Sequence, residues 1–399
     1  MNHAVTRQQA SRGGRTPRES AVDYWLLVPV LLLVALGVIM VGSSSIAVAE
    51  SLGMASGHYL VRHLAYLFNG LLLALFARAI PIKLLEQYSH LMFPLAVLAL
   101  LLVFIPGLGH TVNGSTRWVR IGPMQFQMVE AVKVMFILFI AGYLVRKSDR
   151  IDTVFMDTLK PLMLAGLLTL LLLLQPDMGS AAVITTVAGG MVWLAGAAWR
   201  HIAVLGMLAL PVFGYAAMEP YRLRRIVSFM DPWQDPFNSG FQLTQALIAV
   251  GRGELFGVGL GASIQKLFYL PEAHTDFIFA VLAEEFGLLG VAFVLALFMV
   301  LVSRIFSIGA RAHREDRPFA GNVAFGIGLW LGLQALVSIG VNLGVLPTKG
   351  LTLPLISSGG SSVLMTFLAL GIVFRIRYEL HRDASQTLKS RVGPRKVKL

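Results

Sequence analysis

Apolar runs alternate with short polar or charged stretches from residue 22 to residue 376, and several of the runs carry no charge at all. A helix rises 1.5 Å per residue, so about 20 residues cross the hydrocarbon core of a bilayer. Ten runs approach or exceed that length: roughly 22–42, 60–80, 88–105, 124–145, 159–175, 178–199, 201–218, 276–303, 320–346 and 357–376. The pattern predicts an all-α, polytopic integral membrane protein with about ten transmembrane helices. Most connections are short, such as the "QPDMG" hairpin at 175–179, where Pro and Gly supply the break. Residues 219–275 form the exception, one long outer loop, and a connection of that length usually carries function. Within it a short helix is expected through "FQLTQALIAVG", capped by Asn238 or Ser239 and lying on or dipping into the bilayer. The chain divides into a basic tail (1–21), the helical domain (22–376) and a second basic tail (377–399), with no clear internal repeat.

Composition agrees: 56% of residues are hydrophobic and 14% charged, which excludes an ordinary soluble domain. The mean hydropathy is +0.73. The net charge of +12 is informative through its distribution. With the N-terminus inside, 23 of the 33 Lys and Arg residues fall in the inner tails, loops and helix ends. That bias and an even number of spans place both termini in the cytoplasm. The tail "LKSRVGPRKVKL" suits anionic lipid headgroups, and with no recognition module beside the charge, nucleic acid is not an expected partner. The polar N-terminus lacks a small-residue cleavage site and reads as a retained cytoplasmic tail. Without cysteine, no disulfide, thiol chemistry or cysteine-ligated metal is available.

Charge inside such a chain needs a physical reason, because ionised groups are costly at membrane depth. The stretch "YLPEAHTDFIFAVLAEEFG", residues 269–287, concentrates it. Asp276 stands where the eighth run begins. It reads as a helix N-cap, shared with Thr275, or as a general base held ionised by the helix dipole, and one residue can do both. Glu284 and Glu285 lie about two turns further in and point about 100° apart, so they do not share a face. Carboxylates there need a polar cavity or a cationic partner, and at least one is expected to line an internal cleft. Glu130 and Lys133 are spaced i, i+3, which fits an intrahelical ion pair or a lysine offered to an anionic substrate. Arg62, Arg117, Arg120, Arg222, Arg224 and Arg225 lie on the outer side. Singly they are headgroup anchors; converging on one loop they suit a phosphate-bearing ligand. Residues 342–362, "NLGVLPTKGLTLPLISSGGSS", interrupt apolar sequence with prolines, Lys349 and a Ser/Gly run. They are either a plain outer loop with a helix cap or, given their polar density, the lining of a cavity. Asp177 is an N-cap candidate for the sixth run and a further cavity acid. The glycines of "GRGELFGVGLG" are not read as a phosphate loop, since no strand precedes them.

Taken together, "QPDMGSA", "MDPWQDPFNSGFQLTQALIAVGRGELFGVGLG", "SIQKLFYLPEAHTDFIFAVLAEEFGLLG" and "LPTKGLTLPLISSGGSS" are similar to the shape, elongation, division and sporulation (SEDS) family of bacterial inner-membrane proteins. The similarity spans about residues 22–376 and leans toward the division member over the elongation member. It implies a peptidoglycan glycosyltransferase that polymerises lipid II at the division septum, with Asp276, the acid of its HTDF motif, as the essential carboxylate. The family's Q-P-D, E-x-x-K and P-x-x-G…S-G-G-S positions fall on Gln175/Asp177, Glu130/Lys133 and Pro347/Gly350/Ser358–Ser361. Two positions depart from the pattern: "QMVE" replaces Q-P-S-E, and Ser358 stands where tyrosine is usual. In lipid II polymerisation a sugar hydroxyl attacks the anomeric carbon of a lipid-linked donor, and undecaprenyl pyrophosphate leaves. A carboxylate suits the hydroxyl proton, and Arg, Lys or a divalent cation (Mg or Mn) suits the pyrophosphate. Arg62, Glu130, Lys133, Arg224, Gln242, Lys349, Ser358 and Ser361 make up the expected substrate-binding set. The resemblance further implies a class B penicillin-binding transpeptidase, FtsI, as partner, with FtsQ, FtsL, FtsB and FtsN as regulators. Two other functions fit the spans: a lipid II flippase, which calls for paired interrupted helices in repeated halves, and a non-catalytic divisome scaffold, in which Asp276 would be dispensable.

Overall fold

Each of the ten apolar runs contains a helix in the structure, a computed structural model that describes residues 23–112, 115–122, 124–219, 227–238 and 240–391. The helices are α1 (Tyr24–Ser51), α2 (His58–Ala79), the short α3 (Ile82–Gln87), α4 (Met92–Leu102), α5 (Met128–Arg146), α6 (Phe155–Leu174), α7 (Met178–Leu194), α8 (Trp199–Ala217), α9 (Phe241–Gly253), α10 (Ile278–Arg314), α11 (Pro318–Asn342) and α12 (Gly360–Arg391). Six of them, α1, α2, α5, α6, α10 and α11, are long and apolar enough to cross a membrane unaided, and the chain is a multi-pass, helical membrane protein. α12 runs to Arg391, well past the expected end near 376, so helix continues into the region assigned to a basic tail.

Burial is arranged for a bilayer. Large apolar side chains such as Leu31, Phe68, Phe76, Leu170 and Met299 point outward, while Glu130, Lys133, Gln334, Glu284 and Glu285 are buried. Outside is hydrocarbon, so the apolar face needs no cover and the polar groups must find one another. α5 is the central post, buried almost continuously from Val129 to Leu144, with α4, α7 and α11 packed around it. α2 lies along α12, while α1, α9 and α11 flank α10. At one end of the bundle Asp23 ties three helices together, accepting from Arg304 Nη2 at 2.7 Å and from Arg377 Nε at 3.0 Å.

Two features depart from the expected pattern. Between α4 and α5 the chain forms a three-stranded antiparallel sheet: β1 (Gly109–Val112), β2 (Ser115–Ile121) and β3 (Met124–Gln127). Trp118 pairs with Gln127 and Arg120 with Gln125. The signal was present in the dipeptide Asn113-Gly114, which sits between the first two strands and marks hairpins.

The second feature is a break in α10 at Gly287, whose φ of 65° and ψ of −164° lie outside the helical region. A Cβ there would come within 2.4 Å of Gly257 N, so only glycine fits. The backbone groups released by the break are satisfied by the loop after α9. Val258 N donates to Glu284 O at 2.9 Å and Gly259 N to Glu285 O at 3.1 Å, while Leu288 N and Leu289 N donate to the carbonyls of Glu254 and Leu255. The glycines of "GRGELFGVGLG" thus serve close backbone packing at membrane depth.

Candidate active site

A cavity of about 510 Å³ opens at the end of the bundle opposite the Asp23 cluster, where separate stretches of chain converge. Tyr59, Arg62 and Tyr66 come from the first turns of α2, and alternate residues Ser115/Arg117 and Gln125/Gln127 from the sheet. The α6–α7 turn contributes Pro176 and Asp177, α9 contributes Gln242, and the segment before α10 contributes His274 and Asp276. Pro347–Gly350 and Ser358 close it from the loop between α11 and α12. Of the residues singled out from sequence, Asp276, Arg62, Gln242, Lys349, Ser358 and Asp177 all line this one space.

Asp276 is half-buried on its wall. A Cβ on Gly350 would lie 3.3 Å from Asp276 Oδ2, so the glycine lets that loop close against the carboxylate. The capping position of α10 falls on Phe277, one residue later than expected, and Phe277 makes no side-chain cap. Asn342 of α11 supplies a side-chain acceptor to the first turn, Oδ1 taking the Ala280 amide at 3.0 Å. Thr275, the other expected cap, donates its hydroxyl to Glu272 Oε2 instead. The His274 ring centre lies 4.9 Å from that of Tyr59 with the planes tilted at 48°, and its Nδ1 is sealed from solvent and lacks a hydrogen bond. Burial pulls this imidazole below its ordinary range, against the opposing charge of Glu272, and so favours the neutral form.

The cations are spread around the rim. Arg62 is exposed, its guanidinium 5.7 Å from the Tyr66 ring centre. Arg117 donates to the carbonyls of Gln175 and Pro176 and lies 3.9 Å from Asp177. Lys349 Nζ sits 3.4 Å from Met178 Sδ. Asp177 caps α7 as expected, accepting from Ser180 N at 3.1 Å and Ser180 Oγ at 2.8 Å. Among the described residues no group of three or more His, Asp or Glu is placed to hold a metal ion. Arg62, Arg117 and Lys349 are the cationic side chains among the described residues that line the cavity.

Other expected site residues lie elsewhere. Glu130 and Lys133 do form the intrahelical pair, at 2.8 Å, but they are buried away from the cavity. Lys133 donates to Gln334 Oε1 at 2.8 Å and lies 4.9 Å from the Trp330 ring centre; Gln334 in turn donates to the carbonyl of Thr352, on the cavity wall. Ser361 is buried and accepts from Gln127 N, joining α12 to the sheet. Neither Glu284 nor Glu285 lines the cavity. Glu284 takes Arg252, Ser263 and the amides of Ile264 and Gln265, and Glu285 takes Lys266 at 2.7 Å and Ser43 at 2.8 Å. Cationic partners, not a cleft, resolve their cost. Arg224, with Arg222 and Arg225, lies outside the described residues.

The cleft thus joins a half-buried carboxylate, a half-buried imidazole and a cationic rim, and known proteins give the class of the chain that carries it. Residues 24–382 match the family described as "Cell cycle protein", which groups FtsW, RodA and SpoVE. The chain belongs to this family, the SEDS family of the sequence comparison. It is similar to the probable peptidoglycan glycosyltransferase FtsW of Xanthomonas oryzae pv. oryzae, 49% identical over 395 residues, covering 99% of this chain and 79% of that protein. The probable peptidoglycan glycosyltransferase FtsW of Coxiella burnetii is 49% identical over 358 residues, covering 90% of this chain and 96% of that one. Among solved structures, a chain from work on how a peptidoglycan synthase complex coordinates polymerization and crosslinking superposes with a TM-score of 0.73 at 32% identity, covering 91% of this chain and 98% of its own. The rod shape determining protein RodA of Thermus thermophilus gives a TM-score of 0.67 at 31% identity, covering 92% and 99%.

Proposed function

We propose that this chain is a division-type peptidoglycan glycosyltransferase that polymerises lipid II at the cavity, with Asp276 as general base. Glycosyl transfer follows from family membership and from the relatives named peptidoglycan glycosyltransferase FtsW. The observation that carries the site is the convergence of Asp276, Arg62, Arg117 and Lys349 on one cleft. The acceptor hydroxyl attacks the anomeric carbon with inversion, its proton passes to the Asp276 carboxylate, and undecaprenyl pyrophosphate departs with the bonding pair. Arg62, Arg117 and Lys349 meet the charge that develops on the pyrophosphate. A base and a leaving group suffice for inversion, so one carboxylate is enough.

The cavity end faces the outer side of the bacterial inner membrane and the Asp23 end faces the cytoplasm, in keeping with the Lys/Arg bias. The division septum is the site of action. A class B penicillin-binding transpeptidase, FtsI, is the partner that the structural similarity to a peptidoglycan synthase chain supports, with FtsQ, FtsL, FtsB and FtsN as regulators. A flippase receives no support from α10, because the break at Gly287 is filled by the chain's own loop and does not open onto the cavity. The test is lipid II polymerisation by purified protein with its transpeptidase, comparing wild type with Asp276→Ala. Glycan strands from the first and none from a folded second are expected. Unchanged strands from the variant would remove Asp276 as base, and no strands from either would return the choice to transporter or scaffold.

A further inference from the structure

Three consecutive carbonyls of the segment bearing the cavity carboxylate are held by donors from a distant part of the chain. Ser358 N donates to His274 O at 3.1 Å, Ser357 Oγ to Thr275 O at 2.7 Å, and Asn342 Nδ2 to Asp276 O at 2.9 Å. A loop carbonyl ordinarily turns to water, and rotates as it likes while doing so. These three cannot turn without breaking bonds made inside protein.

Both side-chain donors are themselves fixed. Ser357 is 1% exposed, and its Oγ accepts from Leu353 N at 2.8 Å. Asn342 is fully buried; its Oδ1 accepts from Ala280 N and its Nδ2 also donates to Ser338 O at 2.8 Å. Asn342 therefore clamps the end of α11 to the start of α10, with Asp276 between. Neither residue lines the cavity, so neither is placed to meet substrate.

We propose that Asn342 and Ser357 are positioning residues for Asp276, fixing the main chain at 274–276 so that the carboxylate is aimed at the acceptor hydroxyl. This inference rests on Asp276 being the base. A general base works only at hydrogen-bond reach of its proton, and a misplacement of about 1 Å can cost on the order of a hundredfold in rate.

The test uses the full chain with its transpeptidase and lipid II, and four variants. Ser357→Ala removes the hydroxyl, and Ser357→Thr restores one. Asn342→Leu removes the donor to Asp276 O at similar volume without adding charge, and Ala280 N keeps the Phe277 carbonyl at 3.1 Å. Asp276→Ala tests the base. Expected for Ser357→Ala and Asn342→Leu is a fall in kcat of about ten- to a hundredfold, with KM for lipid II and the melting temperature near wild type, and recovery in Ser357→Thr. Wild-type kcat in both, beside a dead Asp276→Ala, would overturn the positioning role and leave the base standing. Loss of kcat that tracks a fall in melting temperature, without recovery in Ser357→Thr, would reduce the bonds to fold maintenance and overturn it too. An active Asp276→Ala would remove the base itself and the inference with it.

Discussion

Removing Glu285 should damage the fold before it touches the chemistry. Its carboxylate is fully buried and faces Lys266 Nζ at 2.7 Å, and the lysine side chain is itself only 8% exposed. Glu285→Ala leaves an ammonium with Ser43 Oγ and the Gly261 carbonyl as neutral partners, each at 2.8 Å. Stranding a buried charge this way costs about 3–5 kcal/mol, a large fraction of the roughly 5–15 kcal/mol that holds most folded proteins. Glu284 differs, because its partner Arg252 is 39% exposed and so less enclosed by protein than Lys266. The decisive variant is the double replacement Lys266→Met with Glu285→Leu, which removes both charges at similar volume. Exchanging a buried pair for apolar side chains is often near neutral, so the double variant should recover most of the melting temperature and the polymerising activity lost in Glu285→Ala. Thermal unfolding in detergent and lipid II polymerisation report the two quantities. A double variant no more stable than the single one would refute the reasoning. A double variant that is stable but inactive would show that the Lys266–Glu285 pair supports activity beyond its share of stability.

Two further outcomes follow from the cavity wall. Gly350→Ala places a methyl 3.3 Å from Asp276 Oδ2; kcat should fall several-fold with the melting temperature unchanged, and an unaltered kcat would show that the loop moves away freely. His274 is held below its ordinary range by burial, so the unfolded chain binds its proton first as pH drops. The stability it contributes is complete above its unfolded value of about 6.5 and declines as pH falls below that. Melting temperatures from pH 7.5 to 5 should therefore drop less in His274→Gln than in wild type; parallel curves would exclude the residue as the source.

The helices were legible because hydropathy over twenty residues is a strong signal, and the i, i+3 spacing of Glu130 and Lys133 offered their pair as one of two readings. Asp276, Asp177, Gln242, Lys349 and Ser358 lie on the segments that carry the family resemblance, and the fold brings them together with Arg62 on one cavity. What misled was depth. Carboxylates inside a span suggest a cleft, and only the fold shows that Lys266, 19 residues before Glu285, and Arg252, 32 before Glu284, reach back to meet them. The sheet was missed because three short strands between long apolar runs barely disturb hydropathy. Asn342 and Ser357 left no signal of their own, since an amide at a helix end and a hydroxyl in a loop look alike whether they face water or hold a backbone.

The seam at Gly287 also constrains how the protein enters the membrane. Nine residues past Ile278, about 14 Å along the helix, the carbonyls of Glu284 and Glu285 and the amides of Leu288 and Leu289 are bonded only because residues 254–259 lie beside them. Released alone into lipid, α10 would present those groups to acyl chains that offer no hydrogen bonds. The stretch from Phe241 to Arg314 therefore has to be delivered to the bilayer as one hairpin, with its loop already docked when the insertion machinery lets go.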